Sequence, residues 1–298
     1  MAENIMKELN VQQVSKRQKV LNVIFTTLRY LFLLLVAVVV LFPFYWMIIS
    51  SLKTYPEYIE PVPTFWPRTV MWQNYAEAFN VGNLGRLFAN TVLVGVVSTI
   101  LSLVITILCA FAFARLEFKG KNVLFAGLLA TMMIPGELFT ITNYQTVMEG
   151  FKWGHTYTAL IVPFLVSVFY IYLLRQNFLQ IPNSLYLAAK VDGTSDFKYL
   201  WKVMIPLALP TIISITILKM MGAWNSYMWP RLVANDAAHQ LVTNGLRSVN
   251  FEVPGMPGEI NFPLQMAAVA IVSAPLFVVF IFFRKYIMKG VSKSGTKG

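Results

Sequence analysis

Charged residues divide the chain into six long apolar segments, of which the third is the shortest. A helix that crosses the hydrocarbon core of a bilayer needs about 20 apolar residues. No segment alternates polar and apolar residues as a half-buried strand would. The pattern therefore predicts an all-α fold with six transmembrane helices, at about residues 30–52, 87–114, 122–143, 156–174, 205–230 and 262–284.

The composition points to the same class of protein. Of the 298 residues, 57% are hydrophobic and 12% are charged, whereas a soluble domain carries about 25% charged residues. A soluble enzyme and a disordered chain are therefore excluded. The single cysteine, Cys109, excludes an internal disulfide, and we expect no metal site from one cysteine and two histidines.

Lysine and arginine lie mainly on one side of the predicted membrane. Seventeen of the 24 lie in segments 1–29, 115–121, 175–202 and 284–297, six lie in the other loops, and Lys219 lies inside the fifth span. By the positive-inside rule, the four basic segments and hence both termini are expected in the cytoplasm. The net charge of +11 then reflects membrane orientation, and no nucleic-acid partner is expected.

Three regions follow from this orientation. We expect a cytoplasmic N-terminal segment at 1–28, a transmembrane domain at 29–288 and a cytoplasmic tail at 289–298. The first apolar segment is longer than the core of a signal peptide, and no small-x-small cleavage site follows it. It is therefore predicted to be a retained signal anchor.

The loop at 175–206 is predicted to form two short helices outside the membrane. It contains residues that commonly begin or end helices. Asn183 is the expected N-cap of the helix 184–191, and Gly193 is the expected left-handed residue after it. Ser195 or Asp196 is expected to cap a helix 197–203, and Pro206 is expected at the start of the fifth span.

This loop carries more apolar side chains than two short helices could bury against each other. They are Leu185, Leu187, Val191, Phe197, Leu200 and Trp201. An exposed apolar patch of this kind usually marks a protein contact. The alternative is a pair of amphipathic helices lying on the lipid surface.

The same loop resembles the Glu-Ala-Ala loop of permease subunits from binding-protein-dependent ABC importers. That pattern has three residues before a glycine and nine more before Ile-x-Leu-Pro, and the spacing matches here throughout. The resemblance assigns ATPase coupling to Leu187, Ala188, Ala189, Asp192, Gly193 and Pro206. Leu187 stands where the family usually has glutamate, so that polar contact to the ATPase is not expected here.

Other segments resemble the carbohydrate-uptake group of these permeases. They are Trp66-Pro67, Phe88 to Thr91, Ala110 to Arg115, Trp224-Asn225 and the tail from Tyr286. In that group the tail reaches between the ATPase subunits. The resemblance therefore assigns an ATPase contact to Lys289, Gly290, Gly295 and Lys297.

The resemblance implies a type I ABC importer permease fold in a bacterial cytoplasmic membrane. It implies ATP-driven import of a sugar or oligosaccharide by alternating access, with a second homologous permease, two ATPase subunits and an extracytoplasmic solute-binding protein as partners. ATP and Mg would bind the ATPases, so this chain would be neither an enzyme nor a cofactor carrier. A charged sugar or glycerophospho-compound is an alternative solute, and an ion-coupled secondary transporter is an alternative mechanism.

Lys219 lies near the middle of the fifth predicted span. An ionised side chain that faces lipid there costs at least about 2.5–3.5 kcal/mol, so we expect Lys219 to face the bundle or a water-filled cavity. A candidate solute pathway comprises Glu137 of the third span together with Thr216, Lys219, Asn225, Ser226 and Tyr227. Two hypotheses remain open: Lys219 contacts the solute, or it pairs with Glu137.

Overall fold

The computed structural model describes the backbone of residues 2–292 and the side chains of residue 18 and residues 20–285. Most of this part of the chain is helical. The helices are α1 (Ala2–Ser51), α2 (Tyr55–Tyr58), α3 (Gln73–Val81), α4 (Leu84–Arg115), α5 (Lys121–Thr131), α6 (Thr140–Gln145), α7 (Tyr157–Ile161), α8 (Val168–Gln180), α9 (Asn183–Val191), α10 (Asp196–Tyr199), α11 (Ile205–Trp224), α12 (Met228–Val233), α13 (Val242–Ser248) and α14 (Phe262–Ser292).

Short turns of other helix types join or extend these helices. Gly136–Phe139 and Val162–Phe164 are 3₁₀ turns, and Thr146–Gly150 and Leu200–Met204 are π turns. The antiparallel strands β1 (Glu252–Val253) and β2 (Met256–Ile260) form a small hairpin between α13 and α14. The prediction of helices is thus correct for the apolar segments, while the hairpin lies in a polar connection that the apolar pattern does not describe.

Four helical stretches are long and apolar enough to cross a membrane. They are Val20–Ser51, Leu84–Arg115, Asp196–Trp224 and Phe262–Lys285. Two further pairs of helices qualify only if each bent pair counts as one span: Lys121–Thr131 with Gly136–Gly150, and Tyr157–Phe164 with Val168–Gln180. The described chain therefore has four to six candidate spans, as a multi-pass membrane protein requires.

The third and fourth predicted spans are not continuous helices. The first bent pair turns by 84° and the second by 46°. Pro135 directly precedes the 3₁₀ turn in one pair, and Pro163 lies in the 3₁₀ turn of the other. Proline lacks an N–H group and disfavours helical geometry in the preceding residue, which explains why the chain bends where the apolar pattern continues.

The first and fifth spans have other bounds than the charge pattern predicts. The helix of the first span does not start after Arg29, because α1 runs without a break from Ala2 to Ser51. The fifth span begins at Asp196, where α10, the π turn and α11 run on without a break. It ends at Trp224 rather than near residue 230.

Helix α4 contributes to all three clusters of buried apolar side chains. One cluster joins α4 to α8, α10 and α11, through residues such as Ala110, Phe178 and Tyr199. A second joins α4 to α3, α13 and α14, and a third joins it to α7 and α12. These clusters fix the walls of the cavity described next.

Candidate functional site

A cavity of about 410 Å³ lies between α4, the bend that joins α7 to α8, and the helices α11 and α12. Most of the residues in its wall are apolar, and the polar side chains among them carry hydroxyl groups and one amine. The lining residues are Val94, Ser98, Leu160, Phe164, Val166, Ser167, Tyr170, Lys219, Gly222, Ala223, Ser226, Trp229, Pro230 and Leu241. A mostly apolar cavity with a few convergent polar groups is the usual form of a small-molecule site.

The bend between α7 and α8 places Lys219 in this cavity. The 3₁₀ turn ends at Phe164, and α8 starts afresh with Ser167 as N-cap, whose hydroxyl accepts from the Tyr170 N–H at 3.4 Å. The Phe164 carbonyl is thereby left free for another donor. Lys219 Nζ donates to it at 2.6 Å, so the lysine satisfies a carbonyl that the bend exposes.

Lys219 forms no ion pair with Glu137 among the described side chains. Glu137 lies exposed in the 3₁₀ turn that follows Pro135. The structure therefore favours the cavity over the ion pair as the environment of Lys219.

The other predicted pathway residues divide into two groups. Ser226 lines the cavity, and Tyr227 follows it with its ring between two arginines. Thr216 and Asn225 do not line the cavity. Thr216 donates to the carbonyl of Ile212 at 2.8 Å, and Asn225 donates to the carbonyl of Met221 at 2.9 Å. Both side chains therefore bind backbone carbonyls of α11.

Sequence reasoning missed the cavity residues that belong to other helices. Ser98 comes from α4, Tyr170 from α8 and Trp229 from α12. Trp229 is buried, donates from Nε1 to the Ala159 carbonyl at 2.9 Å, and packs edge-on against Phe164 with ring centres 5.3 Å apart. Nothing local in the sequence marks these residues, because their role depends on contacts between distant helices.

The second candidate site is the helical turn formed by α9 and α10. Helix α9 begins at Asn183, after Pro182, so Asn183 is its first residue and not its N-cap. Gly193 has a φ of +69° and no heavy atom near its would-be Cβ, which confirms the predicted left-handed turn. Ser195 caps α10 by accepting from the Lys198 N–H at 3.4 Å.

Side chains from both helices hold this turn. Lys190 pairs with Asp196 at 2.7 Å, and the Tyr186 hydroxyl donates to the same carboxylate at 2.8 Å. The hydrogen bond to Asp196 raises the pKa of Lys190 above its ordinary value. These contacts between α9 and α10 hold the turn in one shape.

The turn presents apolar side chains outward. Val191 is 88% exposed and Leu187 57% exposed, while Phe197 and Trp201 extend the same kind of surface. Ala188 is exposed as well, whereas Ala189 is partly buried against the core cluster of α4, α8 and α11.

Pro206 lies close to the start of α11 as predicted, but the helix does not begin anew there, because the π turn before it runs directly into α11. It lies at the second position of α11, directly after the π turn Leu200–Met204. The π turn shifts the hydrogen-bond pattern, so a proline without an N–H group fits inside a continuous helix. The tail residues Lys289 and Gly290 lie in the helical backbone of α14, and Gly295 and Lys297 lie outside the described residues.

Comparison with known families identifies the chain. The model of the family described as "binding-protein-dependent transport system inner membrane component" matches residues 5–293. The chain belongs to this family. It is therefore a permease subunit of a membrane transport system, and this family is not an enzyme class.

Named relatives of this family member are permeases of sugar and glycerol-3-phosphate systems. The arabinooligosaccharides transport system permease protein AraQ of Bacillus subtilis is 28% identical over 90% of this chain and 94% of its own length. The diacetylchitobiose uptake system permease protein NgcG of Streptomyces coelicolor is 28% identical over 90% and 88%. The sn-glycerol-3-phosphate transport system permease protein UgpE of Rhizobium meliloti is 29% identical over 88% and 94%.

A solved structure shares the fold of this family member. It is a crystal structure of a bacterial ABC transporter involved in the import of the acidic polysaccharide alginate, with a TM-score of 0.79 and 22% sequence identity. The likeness covers 88% of this chain and 96% of that chain. The helical bundle described above is thus the fold of an ABC importer permease.

No cluster of His, Cys, Asp or Glu side chains suited to a metal ion occurs among the described residues.

Proposed function

We propose that this permease subunit imports a sugar or oligosaccharide by alternating access, driven by ATP hydrolysis on partner subunits. The observation that carries the proposal is the exposed α9–α10 turn, whose spacing from Leu187 to Pro206 follows the family's coupling loop. The named relatives that carry arabinooligosaccharides, diacetylchitobiose and glycerol-3-phosphate support a solute rich in hydroxyl groups.

Coupling would act through the apolar surface of this turn. The exposed side chains of Leu187, Ala188 and Val191 would seat in a cleft of an ATPase subunit, and closure of the ATPase dimer would move the turn. Since α10 continues through the π turn into α11, a movement of the turn would be transmitted directly to the helix that carries Lys219. Asp192 and Gly193 would keep the turn in the docking geometry.

The cavity would be the part of the solute pathway that this subunit supplies. Apolar ring faces and hydroxyl groups together suit a sugar, since ring carbons pack on aromatic faces while hydroxyls hydrogen-bond. Tyr170, Trp229 and Phe164 supply aromatic surface here, and Ser98 and Ser226 supply hydroxyls. The bends beside Ser167 and Asn225 provide non-helical backbone at the cavity, which membranes tolerate where it lines an internal space.

The remaining partners follow from the proposed transport cycle. A second homologous permease would complete the pathway, two ATPase subunits would bind ATP and Mg, and an extracytoplasmic binding protein would deliver solute. Both termini would lie in the bacterial cytoplasm, on the side of the α9–α10 turn. The distribution of lysine and arginine supports this orientation, because the terminal and α9–α10 segments hold most of them.

Reconstitution tests the proposed transport. The complete complex in liposomes should take up an oligosaccharide that its binding protein binds only with ATP inside and binding protein outside. A complex whose ATPase subunits bind but do not hydrolyse ATP is the control and should take up none. Uptake that persists in this control and follows an ion gradient would show a secondary transporter and overturn the proposal.

Crosslinking tests the coupling surface. In a Cys109→Ser background, Ala188→Cys should crosslink to an ATPase subunit in the assembled complex. Leu138→Cys is a matched control, since Leu138 is 70% exposed but belongs to the third span. It should not reach the ATPase. If Ala188→Cys reacts only with lipid-borne crosslinkers, the turn lies on the membrane surface and the coupling proposal is wrong.

A further inference from the structure

Three cations have no carboxylate partner among the described side chains: Lys219 in the cavity wall, and Arg231 and Arg247 beside Tyr227. Together they are called the cationic route below. The guanidinium groups of Arg231 and Arg247 lie 5.7 and 5.6 Å from the ring centre of Tyr227, and Arg231 also donates to the Tyr227 hydroxyl. Tyr227 follows Ser226 of the cavity wall, and Lys219 lies inside. None of the three cations forms an ion pair with another described side chain.

The cavity itself contains a positive charge and no negative one. Lys219 is the only charged residue among the lining residues. Its ammonium has three N–H donors, and one of them is engaged by the Phe164 carbonyl. When a half-buried ammonium binds a carbonyl but no anion, that contact only partly offsets the cost of removing its charge from water. Two donors therefore remain for a group that enters the cavity.

The nearest acidic side chain of the α12–α13 connection does not neutralise the cationic route. Asp236 accepts from His239 at 2.7 Å and lies 3.2 Å from a ring nitrogen of His155, so its carboxylate is already engaged. Charges of one sign along a cleft with apolar walls focus the electrostatic field and raise the local concentration of oppositely charged solutes. The two arginines and Lys219 form such an arrangement.

We infer that the cationic route selects solutes that carry an anionic group, a carboxylate or a phosphate, and that Lys219 binds that group inside the cavity. The inference rests on the proposed function, because it specifies the solute that such a permease carries. Lys219 also holds the bend of the fourth span through Phe164. The test must therefore separate the charge of the lysine from its hydrogen bond.

The first experiment measures the charge of the cavity without any transport. Ser226→Cys in a Cys109→Ser background puts a single thiol in the cavity wall of the assembled complex. Its modification rates are measured with two methanethiosulfonate reagents of similar size, one bearing a sulfonate and one a trimethylammonium group. Lys219→Gln keeps a donor for Phe164 but removes the charge, whereas Lys219→Arg keeps both.

We expect Lys219→Gln to lower the ratio of the sulfonate rate to the trimethylammonium rate by roughly ten-fold, since one charge is removed from a confined, poorly screened space. Lys219→Arg should leave the ratio within about two-fold of that of the unsubstituted lysine, because the positive charge remains. An unchanged ratio in Lys219→Gln would overturn the inference, whatever the complex transports.

The second experiment measures solute selection. Uptake of a uronate disaccharide, a sugar phosphate and a neutral disaccharide is compared, each chosen because the associated binding protein binds it. Lys219→Gln should lower kcat/KM roughly ten-fold for one or both anionic solutes, as expected when a charge-assisted hydrogen bond becomes a neutral one, and should leave the neutral solute nearly unchanged. The two anionic solutes show whether carboxylate or phosphate is preferred.

Equal losses for all three solutes would mean that Lys219 acts only through the bend, and the inference would be wrong. If the complex takes up the neutral solute efficiently with ATP but neither anionic solute, the inference about anionic solutes is wrong, whereas the proposed function is supported. A charge-dependent labelling ratio in a complex that hydrolyses ATP but transports nothing would contradict the proposed function and leave the charged cavity established.

Discussion

Arg115 and Arg175 join the ends of α4 and α8 reciprocally. From the end of α4, Arg115 donates from Nη2 to the carbonyls of Phe178 and Ile181, at 2.8 and 2.5 Å. From α8, Arg175 donates from Nε to the carbonyl of Phe113 on α4 at 3.0 Å. Each arginine thus donates to carbonyls at the end of the other helix, where intrahelical donors run out; of these carbonyls, that of Phe178 also accepts from the Ile181 N–H. The α9–α10 turn follows directly after this junction.

Replacing Arg115 should therefore destabilise the junction. Arg115→Met removes two hydrogen bonds from a buried site, although the Phe178 carbonyl keeps the Ile181 N–H as a donor. We expect it to lower the free energy of unfolding by about 2 kcal/mol. Thermal unfolding of the purified complex measures this. Arg86→Met is the control, because Arg86 is exposed at the other end of α4. Equal stability of the two variants would show that the buried guanidinium contributes nothing net.

Gly193 should be required for coupling and not for folding. Its φ of +69° costs a residue with a side chain about 1–2 kcal/mol, and no atom lies close enough to clash. Gly193→Val should leave an assembled complex whose uptake per ATP hydrolysed is strongly reduced. Asp192→Lys, at the preceding position, should have the same effect.

Asparagine tolerates the left-handed conformation better than other non-glycine residues, so Gly193→Asn is the matched control and should retain most coupled uptake. If Gly193→Val and Gly193→Asn transport equally well, the backbone conformation of the turn has no role in coupling.

Leu187 should make the ATPase contact apolar in this protein. Its side chain is 57% exposed and occupies the position where the family usually has glutamate. Leu187→Glu should be tolerated or slightly strengthen assembly if the ATPase surface keeps a basic group. Co-purification of the ATPase with the permease measures this, and Leu185→Glu on the same helix serves as control. Loss of assembly from Leu187→Glu alone would show that the ATPase surface has become apolar too.

The helical spans could be predicted from the sequence, but their bends could not. Apolar runs of sufficient length require helices in a membrane, since every backbone group must be paired there. Pro43, Pro210 and Pro275 lie inside unbroken helices, whereas Pro135 and Pro163 accompany bends. The proline is the same residue in each case. Whether the helix bends depends on the contacts that neighbouring helices offer.

The two candidate sites also differ in how far the sequence could predict them. The α9–α10 turn could be predicted because Gly193 and Ser195 act through local backbone geometry. The cavity could be predicted only along the fifth predicted span, which contains both Lys219 and Ser226. In the structure α11 ends at Trp224, so Ser226 lies just after the helix. Ser98 and Tyr170 reach it from distant segments, so no pattern along the chain could have identified them.

Asp236 connects two loops at the end of the bundle opposite the α9–α10 turn. Burial acts to raise its pKa, but the hydrogen bonds with His239 and His155 outweigh burial and hold the pKa below its usual value. His239 also packs edge-on against Tyr157, whose hydroxyl donates to Asn90 at 2.7 Å. The carboxylate thus stabilises a network that joins α4 to both loops.

Asp236→Asn should lower the stability of the complex by about 1 kcal/mol, since the carboxylate is partly exposed and the charge-assisted hydrogen bonds are weakened by solvent. A carboxyl whose folded pKa is depressed contributes stability above its ordinary pKa, about 3.9, and loses that contribution as pH falls through the folded pKa. The Tm difference between wild type and Asp236→Asn should therefore shrink as the pH falls below about 4. Asp192→Asn, at an exposed position, should show no such difference. A Tm difference that persists unchanged at about pH 3 would mean that the ionised carboxylate contributes nothing to stability.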